Sequence, residues 1–139
     1  MKLLRVKIIS ADTAGGLLNN FDLGFRSYNI DEYSSFDPLC LIGANGAGKS
    51  QFLQILTEIF QAIYHECIPE EERNDGNPDL QFEIEYLIRP DGKRDPVRIR
   101  ALRQSENRRR PKLIIEQKDG DDWRNCELDS KSTHQLLPR

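Results

Sequence analysis

The sequence predicts an α/β fold, with a mixed, largely antiparallel sheet around one main helix that opens on a glycine-rich loop. Three observations carry that prediction. First, the short apolar run Pro38-Leu39-Cys40-Leu41-Ile42 stands directly before Gly43-Ala44-Asn45-Gly46-Ala47-Gly48-Lys49-Ser50, where a strand buried on both faces would sit. Second, beyond Lys49 the residues Phe52, Ile55, Leu56, Ile59, Phe60 and Ile63 form a single apolar stripe at helical spacing, the mark of an amphipathic helix. Third, from Leu80 onward the period shortens. Leu80, Phe82, Ile84, Tyr86 and Ile88 alternate with Gln81, Glu83 and Glu85, as in a strand with one buried face.

Taken in order, residues 3–9 are apolar and β-branched and read as a strand. Ala11 to Asn20 is rich in glycine, asparagine and small residues and reads as a loop. Phe21 to Tyr28 alternates again and reads as a second, short strand, and Asn29 to Asp37 as a polar connection. The strand 38–42 should lie within the sheet, with the helix from about 49 to 65 packed on it through Phe52, Ile55, Leu56 and Ile59. The helix should stop near Glu66, before Pro69, and Glu70 to Pro78 should be a surface loop. Strands are then expected at 80–89, 97–103 and 112–117, with a weaker one from Trp123 to Leu128. The Asp91-Gly92 and Asp119-Gly120 turns are too short for crossover helices, so antiparallel pairing in sequence order is expected. Residues 1–139 read as one domain.

The bulk composition narrows the function classes. Hydrophobic residues make up 37% and charged residues 31% of the 139, and no stretch approaches the roughly 18 apolar residues of a membrane span. Arg5 and Lys7 interrupt the apolar start, which argues for a cytoplasmic chain without a signal peptide. A net charge of −3 is not that of a general nucleic-acid binder, although Arg98, Arg100, Arg103, Arg108, Arg109 and Arg110 are concentrated in one region. Cys40, Cys67 and Cys126 match no zinc spacing and suit reduced thiols.

The glycine loop carries chemistry. Gly43-x-x-x-x-Gly48-Lys49-Ser50 matches the P-loop pattern, which a random chain of this length does on the order of half a percent of the time. Glycines let the backbone turn with positive φ and approach phosphate closely. Successive N–H groups then form an anion nest at the positive end of the following helix. Lys49 supplies a point charge for the β- and γ-phosphates, and the Ser50 hydroxyl is the ligand for Mg²⁺. Gly43, Ala44, Asn45, Gly46, Ala47, Gly48, Lys49, Ser50 and Gln51 are therefore the expected binding residues for ATP with Mg²⁺.

With Asn45-Gly46 at its centre, the loop resembles that of ABC-type ATPases, above all the SMC/RecF/OLD-like branch. The two early strand candidates and the later meander are similar in layout to the N-terminal lobe of that head. The opening residues and Gln135-Leu136-Leu137-Pro138-Arg139 also look like the AAA-family ATPases of bacterial restriction and antiphage systems. The resemblance implies ATP hydrolysis in a complete enzyme, a second ATPase head as partner in a homodimer or higher oligomer, and a role in DNA repair or phage defence beside a nuclease, with DNA as a further partner. The Walker B carboxylates and the signature motif of that family have no match here. The chain thus reads as the N-terminal lobe, with no catalytic residue of its own and little or no activity alone. The alternatives are an assembly module that binds nucleotide without hydrolysing it, and a P-loop small-molecule kinase. A GTPase is disfavoured, since no Asn-Lys-x-Asp motif is present.

Other candidates have blander readings. Asp37, Glu83 and Glu85 are poorly placed for catalytic bases. Phe21, Phe25 and Tyr28 could stack on adenine, but core packing is the simpler expectation. His65 and His134 have no metal partners in spacing. The arginine cluster could meet DNA phosphate or simply coat a solvated strand face. Gln135 stands where the resembled family places a glutamine that senses the γ-phosphate.

Overall fold

The computed structural model describes residues 1–27, 33, 38–66, 68–73, 76–105, 111–126 and 135–136. Its strands are β1 (Lys2–Ser10), β2 (Phe21–Gly24), β3 (Gln81–Ile88), β4 (Val97–Gln104), β5 (Lys112–Asp119) and β6 (Asp122–Asn125), with one helix, α1 (Lys49–Glu66), between β2 and β3. Short 3-10 turns lie at Thr13–Gly16 and Glu70–Glu72. The strands make one sheet in the order β2-β1-β3-β4-β5-β6, and every pairing is antiparallel.

The meander forms as its alternation predicts. Opposite pairs such as Ile84 with Ala101 and Ala101 with Ile115 bring the apolar side chains of three strands to one face. Leu80, Phe82, Ile84, Tyr86 and Ile88 are all buried there. Phe52, Ile55, Ile59 and Ile63 of α1 cover that face. The rings meet edge to face, with Phe60 against Tyr86 at 6.1 Å and Phe52 against Phe21 at 5.9 Å. Tyr86 is fully buried, and its hydroxyl donates to the Leu136 carbonyl at 2.9 Å.

The predicted fold class, an α/β P-loop NTPase lobe built on a mixed sheet, is overturned. Among the described residues the fold is a small antiparallel six-stranded sheet with a single α-helix. The expected strand 38–42 does not form. Leu39, Leu41 and Ile42 are exposed, Ile42 at 95%. The reason is that a buried strand needs neighbours on both edges. β1 already has β2 on one side and β3 on the other, so a further strand could join only at an outer edge, with one side unpaired. The helix consequently packs on the antiparallel sheet and not on residues 38–42. The second strand is also shorter than expected, ending at Gly24, and β6 ends at Asn125.

The sheet's other face is held by charge. Arg5 donates to both Asp22 oxygens, at 2.9 and 2.6 Å, and the guanidinium holds the Asp22 carboxyl below its usual value. Arg100 pairs with Glu116 at 2.6 Å. Trp123 lies beneath Arg98, Arg100 and Lys118, with the Arg100 guanidinium 4.3 Å from the ring centre. Glu85, expected to be exposed like Gln81 and Glu83, is only 6% exposed. The Arg98 side chain lies over it and donates through Nε at 2.9 Å and through Nη2, so its charge is compensated where it is buried. No helix among the described residues is long and apolar enough to cross a membrane.

Candidate functional site

The loop before α1 takes its shape from two glycines. Gly46 has φ 83° and Gly48 φ 82°, a left-handed backbone that side chains with a Cβ adopt only at a cost. Around Gly46 the chain turns, and the Ala47 N–H donates to the Ala44 carbonyl at 3.2 Å. The Gly48 carbonyl then accepts the Phe52 N–H at 2.9 Å, which starts the helix. A Cβ built on Gly48 would reach only to 3.9 Å from Leu17 Cδ2, an ordinary contact. Backbone angle, not space, is therefore what calls for glycine there.

Lys49 folds back across the loop. Its Nζ donates to the Gly43 and Ala44 carbonyls, each at 2.7 Å. Gly43, Ala44, Asn45, Gly46, Ala47 and Ser50 are exposed, Lys49 and Gln51 half-buried, and Gly48 buried. No acidic residue occupies the first turn of α1, so the unpaired N–H groups of that turn keep their full attraction for anions. The expected binding residues thus form a largely exposed loop and the first turn of the 18-residue helix that follows it. A hydroxyl at Ser50 is a single oxygen ligand. That fits Mg²⁺, which keeps several waters and takes its remaining ligands from phosphate.

The remaining sequence candidates separate. Phe21 and Phe25 are partly buried against the core, packing on Phe52 at 5.9 and 6.2 Å, as the simpler expectation had it. Arg98 and Arg100 are bound to Glu85 and Glu116, and Arg103 to the Asn77 and Pro78 carbonyls, so these three face the protein's own acceptors. Glu83 accepts from Arg5 at 3.4 Å. His65 sits beside Tyr64, ring centres 6.5 Å apart, and Gln135 is exposed. Tyr28, Asp37, Cys67, Arg108, Arg109, Arg110 and His134 lie outside the described residues. Cys40 is exposed, while burial pushes the Cys126 thiol up. Among the described residues no group of three or more His, Cys, Asp or Glu could hold a metal ion.

Sequence reasoning missed one feature. A pocket of about 100 Å³ opens beside the second half of α1, lined among others by Glu58, Gln61, Gly76, Asn77 and Arg103. Its residues come from the helix, the turn before β3 and the end of β4. Nothing in the sequence marks it: Arg103 is brought there by its pairing opposite Phe82, next to the start of β3. Comparison of the chain with family models, with curated proteins and with solved structures gives no match.

Proposed function

We propose that this chain binds the phosphates of a nucleoside triphosphate, ATP with Mg²⁺, on residues 43–51. The observation that carries the reading is the loop itself. Two glycines at positive φ turn the backbone at the head of a helix with no acidic first turn, and the Lys49 ammonium lies across it. On binding, Lys49 exchanges two carbonyl acceptors for phosphate oxygens, a stronger charge-assisted contact. The first-turn N–H groups would donate to the phosphate oxygens. Ser50 would hold the Mg²⁺ that neutralises the phosphates. The loop's resemblance extends the proposal to a cytoplasmic ATPase of the SMC/RecF kind, working with a second head, a nuclease and DNA in repair or phage defence.

Titration of the chain with Mg·ATP, followed by calorimetry, tests the reading. Saturable binding that Lys49→Ala weakens tenfold or more, on the order of one charge-assisted hydrogen bond, is the expected result. An absence of saturable binding, or binding indifferent to Lys49→Ala, overturns it. Steady phosphate release from this chain would overturn the narrower statement that it binds without turning over.

A further inference from the structure

The pocket beside α1 holds a separated pair of opposite charges. Glu58 accepts hydrogen bonds from Thr13 Oγ1 at 2.6 Å, Gln54 Nε2 at 3.3 Å and Asn77 Nδ2 at 3.3 Å, all neutral donors. Arg103 donates from Nη1 to the Asn77 carbonyl at 2.9 Å and from Nη2 to the Pro78 carbonyl at 3.3 Å, both neutral acceptors. Among the described residues its Nε–H and the second N–H of each terminal nitrogen have no acceptor. Glu58 and Arg103 therefore flank Asn77, and among the described residues neither forms an ion pair, although Glu66 and Asp79 act on Arg103 through space. The other charged pair on the lining, Arg73 and Glu66, satisfies itself at 3.3 Å. Burial lowers the Arg103 pKa, with Glu66 and Asp79 opposing it.

We infer that this pocket is a binding site for a small zwitterion, an α-amino acid with a short side chain, its carboxylate on Arg103 and its ammonium on Glu58. Size supports that class. The pocket's 100 Å³ is several times the roughly 30 Å³ share of one liquid water and well below the roughly 300 Å³ at which drug-sized sites begin. Charge supports it as well. A lone anion would satisfy only Arg103 and a lone cation only Glu58, whereas a zwitterion meets both. The site lies along α1 from the glycine loop and shares no residue with it.

The test is a nuclear magnetic resonance titration of the isotope-labelled chain with L-alanine, with acetate and ethylamine as half-ligands. Saturable shifts of the Gln61, Gly76 and Asn77 amides with L-alanine are expected, with each half-ligand weaker by about tenfold, the order of one hydrogen bond to a charged group. Arg103→Gln and Glu58→Gln should each weaken L-alanine to a similar degree, while Arg103→Lys retains more affinity than Arg103→Gln. No saturable response to L-alanine, or acetate binding as tightly as L-alanine, overturns the inference. Should a variant not fold, the comparison of the three ligands on the unaltered chain decides alone.

Discussion

The two ends of α1 meet the same electrostatic demand in opposite ways. At its C-terminal end Arg73 donates to the Glu66 carbonyl at 3.2 Å and the Ile68 carbonyl at 3.1 Å and pairs with the Glu66 carboxylate. The negative end is thereby capped by the chain itself. At the N-terminal end no acidic side chain answers the free N–H groups, and the nearest cation, Lys49, adds to the positive field while bonded to the loop. One end is answered by a side chain of the chain itself and the other is not, so the N-terminal end keeps its positive field, and the proposed phosphate site uses that difference.

Four substitutions sharpen or break that contrast, in descending size of effect. Ile59→Ala empties a fully buried position midway along the helix and should cost about 2–5 kcal/mol, read as a lower urea midpoint, and impair both ends together. Gly48→Ala should cost about 1–2 kcal/mol, since the residue must hold φ 82°, and should lower nucleotide affinity with it. If that variant is as stable as the parent, the loop is not the fixed turn described here. Arg73→Ala removes only an exposed cap and should cost roughly 0.5 kcal/mol without touching nucleotide affinity. Lys49→Ala should leave the melting temperature nearly unchanged, within about 0.5 kcal/mol, because it loses two bonds to a surface loop, yet abolish most phosphate binding. A large drop in its melting temperature without nucleotide would make Lys49 a structural clasp and end the contrast.

How far the sequence could be read depended on how local the cause was. The stripe from Phe52 to Ile63 and the alternation from Leu80 to Ile88 each encode their own periodicity, and both formed as read. The turns at Gly46 and Gly48 were legible for the same reason, since a glycine acts on its own backbone. Residues 38–42 misled because an apolar run does not say whether a sheet edge is free to receive it. That depends on β1 having taken β2 and β3 as neighbours, a decision made by distant segments. Glu85 was misplaced because its burial rests on Arg98 lying over it across the strand pair. The pocket escaped notice because Glu58, Asn77 and Arg103 belong to three segments, none carrying a pattern of its own.

The bond from the Tyr86 hydroxyl to the Leu136 carbonyl spans 50 residues, and it sets an order on synthesis. As the chain leaves the ribosome, β3 emerges well before its last partner exists, at the roughly 5–20 residues per second of translation. The sheet's centre and α1 can collapse in that interval, but the phenol cannot reach its backbone acceptor until residue 136 has been added. The closing of this core is therefore timed by chain length, and a cell that stalls translation between residues 86 and 136 holds a nascent chain whose central tyrosine still lacks that latch.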